Sequence, residues 1–360
     1  MGVDRAAQQS GLNRSEVVQF SIISAVSLLA FALHQVQASS VLVFAVSGIA
    51  VAGMAHILGV ATEQAGEAAG PRISALLNAT FGNAAELIIV VLAIRQGGEL
   101  IDVARYSIIG SVLGNVLLIL GASLLVSGLR HGRQSFSAVV NGVNATMLLL
   151  ATVALALPTL FAFLIPRGGD GTVGVSHGVA IVMAVLYGAY LIHAFRSPEE
   201  SAASEGHAHW SPRLSLIMLI LSAIVTGFLA EFLVSAIEPT ISSTGISPVF
   251  IGLIIVPLVG NVAEHFAAVK IAAKGDLDFA MSIAFNSALQ VALAVTAVAV
   301  LAGFLFGNEL TLSFGAFEVA VLVSASLLAA FIAINGHATW LEGLELIGVY
   351  VIAALTFWYL

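Results

Sequence analysis

Charge is what this sequence has least of. Of its 360 residues only 9% are charged, against 59% hydrophobic, and the mean hydropathy is +1.06. A soluble domain carries about 25% charged residues, so this chain cannot cover a water-facing surface and lipid is the solvent for most of its length. Cysteine is absent, which excludes disulfides, thiolate metal sites and cysteine nucleophiles without fixing the compartment. No glycine-rich phosphate loop ending in Lys-Ser or Lys-Thr occurs, so nothing points to ATP as the driving force. The net charge of −8 offers nucleic acid no basic surface.

What is present is a series of long apolar runs. A spanning helix needs about 20 mostly apolar residues. On that scale eleven segments qualify, near 17–34, 41–61, 72–96, 104–128, 137–164, 176–195, 214–237, 247–272, 278–306, 314–335 and 342–360. In lipid the backbone must satisfy its own polar groups, so these read as helices. They are too long and alternate too little for barrel strands. The expected class is an all-α polytopic membrane protein. The first segment precedes Val36-Gln37-Ala38, which resembles a signal-peptidase site, but its long apolar run and weakly basic start favour a span.

Basic residues orient the chain. With eleven spans, the N-terminal side collects Arg5, Arg14, Arg72, Arg130, Arg133, Arg196, Arg213, Lys270 and Lys274, whereas the other collects Arg95, Arg105 and Arg167. This bias predicts a cytoplasmic N-terminus and an external C-terminus in the cell (inner) membrane. The longest polar connection, residues 196–213, contains His207 and His209. Two histidines can hold a metal, but the composition reads as a solvated linker.

A short polar motif occurs twice inside apolar segments: Gly82-Asn83-Ala84-Ala85-Glu86 in the third and Gly260-Asn261-Val262-Ala263-Glu264 in the eighth. Five spans separate the copies, an odd number, so they cross the membrane in opposite directions. The flanks agree. Glu63 stands eight residues before Pro71 and Glu231 eight before Pro239; Asn115 in the fourth segment is matched by Gln290 in the ninth, each with a polar residue four before it, Ser111 and Asn286. The chain parses as residues 1–40 with a leading helix, a first half 41–196 (helices 2–6), a linker 197–213 and a second half 214–360 (helices 7–11). Inverted repeats of this kind mark secondary transporters, with the site where the halves meet at mid-membrane. Close helix packing in lipid explains the glycines and alanines. It does not explain a carboxylate in each copy, since an acidic residue at a helix centre costs roughly 2.5–3.5 kcal/mol to insert.

Glu86 and Glu264 are therefore expected to face each other. Two close carboxylates in low dielectric cannot both stay ionised without a cation. A divalent cation neutralises both, and so do protons, which is the logic of an exchanger. The other ligand candidates are the Asn83 and Asn261 amides, water, and carbonyls freed where Gly82, Gly260 and Pro257 loosen the helix. Oxygen-only ligation suits hard cations; calcium, which tolerates irregular coordination, is favoured over magnesium, and manganese is chemically admissible. Asn115 and Gln290 either contact the ion or orient the carboxylates, or simply bond between helices. His265 relays protons or packs. Glu63 and Glu231 are candidates for an access route, and Glu63 also reads as a solvated helix end. Glu318, Glu342 and Glu345 stand near segment starts, where interfacial placement suffices.

These residues resemble the calcium/cation–proton antiporters (CAX) of the calcium/cation antiporter superfamily. The matching stretches are LLNATFGNAAELI at 76–88, VPLVGNVAEH at 256–265 and WLEG at 340–343, and the similarity covers essentially the whole chain. The resemblance implies eleven helices, Glu86 and Glu264 as cation ligands and proton carriers, the neighbouring asparagines as helpers, His265 as the family's histidine, and alternating access by helices 1 and 6 sliding over a fixed core. It implies no cofactor beyond the transported calcium and protons, the bilayer as environment, and allows a homo-oligomer. Two departures stand out. The acidic stretch after the sixth helix is reduced to Glu199, Glu200 and Glu205, and the long N-terminal tail of vacuolar relatives is missing, which together suggest a prokaryotic plasma-membrane protein. A sodium/calcium exchanger is the first rival; its sodium sites need Ser or Thr beside the glutamates, where this sequence has mostly Ala, Val and Asn. A passive channel and an intramembrane protease fit less well, the first because of the inverted two-fold, the second because such dyads are usually Asp.

Overall fold

A computed structural model describes residues 11–165, 169–196 and 209–359. Arg5, Arg167, Glu199, Glu200, Glu205 and His207 lie outside the described residues. Among the described residues eleven helices are long and apolar enough to cross a membrane: α1 (Arg14–Gln35), α2 (Ser40–Ala69), α3 (two pieces, Pro71–Phe81 and Ala84–Gln96), α4 (Leu100–His131), α5 (Ala138–Leu164), α6 (Gly169–Arg196), α7 (Pro212–Thr244), α8 (Pro248–Ala272), α9 (Leu277–Phe306), α10 (Ala316–Asn335) and α11 (Trp340–Trp358). The expected number of spans is met.

The ends differ where helix outlasts hydrocarbon. Helix α2 runs to Ala69 and α7 to Thr244, each well past its apolar run, because backbone bonding continues once side chains turn polar. The two prolines used to match the flanks are not equivalent. Pro71 opens α3, where its missing N–H is surplus, whereas Pro239 lies inside α7.

Contacts between loops agree with eleven crossings. On the face shared with the N-terminus, β1 (Gln134–Ser135) pairs antiparallel with β2 (His337–Ala338), and Asp278 Oδ1 accepts from the Ser137 amide at 2.7 Å. There too Trp210 Nε1 and His209 Nε2 meet the Glu16 carboxylate at 3.2 and 2.9 Å, and the His209 and Trp210 amides donate to Gln64 Oε1. His209, read as linker, is thus part of a clasp joining α1, α2 and the start of α7. On the opposite face Asn308 Nδ2 donates to the carbonyls of Ile94 and Arg95.

Burial locates the centre. In the apolar window of α4 83% of residues are buried, and in α9 67%, against 17% in each of α1 and α6. Helices α4 and α9 are therefore the internal posts, and α1 and α6 lie at the rim. Helix α2 packs along α7; α2 also packs on α8, and α7 on α3. Helices α4 and α8 cross closely because Gly110 and Gly252 lack side chains: a methyl on Gly110 would collide with the Leu253 backbone, and one on Gly252 would stand 2.8 Å from the Val103 carbonyl. Three π-helical turns, Gly114–Ile119, Ile251–Ile255 and Val291–Val295, interrupt α4, α8 and α9. The second lies just before Pro257, which has no N–H and whose ring crowds the preceding turn.

Candidate cation site

Four helices, α3, α4, α8 and α9, bring the polar residues together. Helix α3 breaks at its motif: the first piece ends at Phe81, Asn83 sits in a turn at φ −107°, ψ 27°, and helix resumes at Ala84. In α8 the helix continues from Val256 to Ala272 straight through Gly260 and Asn261. The two motifs touch at the glycine of one and the glutamate of the other, since a methyl on Gly260 would stand 3.3 Å from Glu86 Cβ. The absence of a side chain at Gly260 is what admits Glu86.

Glu86 is fully buried, whereas Glu264 is only half-buried. Ser111 Oγ donates to Glu86 Oε1. Asn261 stands beside Glu86 and Ser287 beside Glu264. A buried relay runs across the halves: Asn115 Nδ2 donates to Ser287 Oγ at 2.9 Å, Ser287 Oγ donates to Asn83 Oδ1 at 3.2 Å, and Asn83 Nδ2 donates to Gln290 Oε1 at 2.8 Å. At this crossing, among the described residues, three buried oxygens have no hydrogen-bond partner: Glu86 Oε2, Glu264 Oε2 and Asn115 Oδ1. Buried polar atoms are nearly always satisfied, so unpaired oxygens at the crossing of two motifs are the coordinating capacity of the site. Among the described residues no group of three His, Cys, Asp or Glu gathers to hold a metal. The charged ligands number two, so one dication or two protons would leave the site neutral.

The expected residues do not all converge. Glu86, Glu264, Ser111, Asn115 and Gln290 do. Asn83 is present, but both ends of its amide are engaged, so it positions rather than offers a free oxygen. Asn286 turns away and accepts from the Tyr190 hydroxyl at 3.2 Å. Its neighbour Ser287 takes the central place, and sequence reasoning missed it. Residues three and four before Gln290 share a helix face, so the pattern admitted both, and helix rotation chose between them. The hydroxyls sought beside the glutamates in sequence come instead from α4 and α9. His265 Nε2 is buried without a partner.

Away from the centre, Glu231 pairs with Arg95 at 2.6 Å, tying α7 to the end of α3. Glu63 is exposed, and no described residue forms an ion pair with it. Glu342 joins Thr339 in a capping box at the start of α11, as its place near a segment start suggested. Glu318 sits in the first turn of α10 yet is 5% exposed, so its side chain is buried rather than interfacial.

The family description "Sodium/calcium exchanger protein" matches residues 39–196 and 214–359. The chain belongs to the sodium/calcium exchanger family. Within it, the chain is 38% identical over 330 residues to the Ca(2+)/H(+) antiporter ChaA of Bacillus subtilis, covering 89% of this chain and 93% of that one. It is 34% identical over 354 residues to a Ca(2+)/H(+) antiporter of Aphanothece halophytica, covering 93% and 94%. Among solved structures, native YfkE superposes with a TM-score of 0.83 at 35% identity, over 95% of this chain and 100% of that one. The H+/Ca2+ exchanger CAX gives 0.73 at 18% identity, over 96% and 92%, a likeness of fold.

Proposed function

We propose that this exchanger-family protein moves calcium out of the cytoplasm in exchange for protons, with Glu86 and Glu264 binding the ion and the protons by turns. The observation that carries the reading is the pair of carboxylates on crossing, oppositely directed motifs, each with one buried, unengaged oxygen. A dication bridging them cancels both charges, and two protons do the same, whereas the empty ionised pair is costly in low dielectric. Either filling can cross with the site; the unloaded pair cannot, so efflux of one ion requires entry of the other. Ca2+/H+ relatives at 34–38% identity support protons over sodium.

Alternating access in this reading is carried by α2 and α7, and not by α1 and α6, the first and sixth helices expected from the resemblance, which lie at the rim. Helices α2 and α7 pack along each other and flank the motif helices, while α4 and α9 form the buried frame. The protein acts as a transporter rather than an enzyme, in the inner membrane with its N-terminus in the cytoplasm, where most basic residues would then lie.

Inverted vesicles with an imposed proton gradient test the proposal. Calcium uptake should follow the gradient, collapse with a protonophore, and vanish in Glu86→Gln and Glu264→Gln variants. Wild-type rates in either variant would sink it. Replacing the proton gradient by a sodium gradient separates the sodium-coupled reading, which the Ser111 and Ser287 hydroxyls beside the carboxylates keep chemically reasonable.

A further inference from the structure

Helix α6 lies at the rim, with 17% of its apolar window buried, yet two of its phenols reach the helices of the site. It packs on the first piece of α3 and on α9. Tyr187 and Tyr190 are three residues apart and so share a face of the helix, with their rings stacked at 6.1 Å between centroids. Tyr187 donates to the Ala79 carbonyl on α3 at 3.0 Å, and Tyr190 donates to Asn286 Oδ1 on α9 at 3.2 Å. Both acceptors lie within one turn of a residue that joins the halves. In an unbroken helix the Ala79 carbonyl would accept from the Asn83 amide four residues on. Helix α3 stops at Phe81, with the Gly82 amide closing on the Asn78 carbonyl, and the Tyr187 phenol caps the next carbonyl. On α9, Asn286 and Ser287 point about 100° apart. With Asn286 held against α6, Ser287 faces Asn83 and Asn115.

We propose that Tyr187 and Tyr190 are positioning residues for the cation: from outside the site they clamp α3 and α9 at the spacing and rotation that let Asn83 engage Ser287 and Gln290, and so set the affinity of the carboxylate pair. This rests on the exchange reading and adds which residues beyond the site tune it. Asn83 bonds both Ser287 and Gln290, so α6 grips the two helices that this contact joins. A phenylalanine would fill the same space at either position. What the hydroxyls add is direction, because a hydrogen bond holds its acceptor to a narrow range of distance and angle. One bond fixes the broken end of α3 ahead of Glu86, and the other fixes the face that α9 turns to the site.

Calcium uptake into inverted vesicles carrying the full chain, measured over a range of calcium concentrations under an imposed proton gradient, tests the clamp. Tyr187→Phe and Tyr190→Phe keep the stacked rings and delete one hydroxyl each. Each should raise the apparent KM for calcium about fivefold, the worth of one hydrogen bond, while the rate at saturating calcium per folded protein is kept. Combined, the two shifts should multiply to about 25-fold. Asn286→Ala removes the other end of the Tyr190 bond. It should match Tyr190→Phe, the pair together should go no further than either alone, and it tests that bond if the phenylalanine variant does not insert. Phenols that only stabilise the fold would lower the folded amount and leave KM where it was, and that result overturns the proposal. So does a Tyr190→Phe, Asn286→Ala double variant whose KM shifts multiply. If the wild type takes up no calcium, the exchange reading fails and the clamp with it, whereas wild-type uptake with an unmoved KM in the phenylalanine variants overturns the clamp alone.

Discussion

Helices α3 and α8 carry the same five-residue motif, yet α3 is broken at Gly82-Asn83 and α8 runs on through Gly260-Asn261. The glutamate of the broken copy is sealed and bonded to Ser111, while that of the continuous copy is less deeply buried, with one oxygen covered. The asparagine of the broken copy bonds Gln290 and Ser287, while that of the continuous copy stands beside Glu86. Residues this similar acquire different partners because the helices packed on them differ: α9 offers Gln290 to Asn83, whereas Asn115 of α4 is engaged by Ser287. The symmetry belongs to the motif and the asymmetry to its neighbours.

Six substitutions, in four tests, press on that contrast. The largest effect should come from the carboxylates. If the proposed exchange holds, Glu86→Gln and Glu264→Gln each remove one of the two charges facing the ion, and each should weaken calcium binding by at least about 100-fold, the scale of breaking a buried charge pair, as measured by isothermal titration. A large loss at one glutamate with none at the other would mean that the halves are not functionally paired.

Next is Gly260→Val. The added branches press on Glu86, and overpacking of this kind costs about 1–3 kcal/mol. Vesicle transport should fall by about tenfold or more, while the folded fraction on size-exclusion chromatography stays high. Unchanged transport would mean that the motifs are not held in contact.

Third, Ser287→Ala should destabilise the protein by about 1–3 kcal/mol, because Asn83 Oδ1 and Asn115 Nδ2 both lose their partner. Asn286→Ala, facing a single tyrosine, should cost less. A thermal-shift comparison reads the order directly, and its reversal would return Asn286 to the central role that the sequence pattern allowed.

The smallest effect is expected at Arg95→Ala. The Arg95 and Glu231 side chains are 50% and 39% exposed, and such pairs contribute about 0–1 kcal/mol. Exchange rate should change by at most about fivefold, with the difference shrinking at high salt. A larger change that survives salt would make the pair a gate and not a surface contact.

How much was readable in advance varies from residue to residue. Spans such as α5 and α10 were legible nearly to the residue because their apolar runs begin and end with the helix. The far end of α2 was not, since Glu63, Gln64 and Glu67 continue the helix after hydrophobicity stops. Glu86 and Glu264 stood out because a carboxylate in lipid needs a reason. Ser287 did not, because a serine costs little in a helix that can bond its hydroxyl to its own backbone, as Ser27 does to the Ile23 carbonyl. His209 looked like solvated linker because its partner Glu16 is far away in sequence.

The sequence by itself determined the solvent, the number of crossings and the inverted pair of carboxylates. These follow from quantities that add up along the chain: apolar length, the placement of charge, and the parity of spans between two motifs. Only the tertiary structure decided which copy of the motif breaks, which asparagine bonds Gln290 and Ser287, and that hydroxyls from α4 and α9 reach the glutamates. Those choices turn on helix rotation and on donor–acceptor separations near 3 Å, where a shift of one residue around a helix exchanges Asn286 for Ser287.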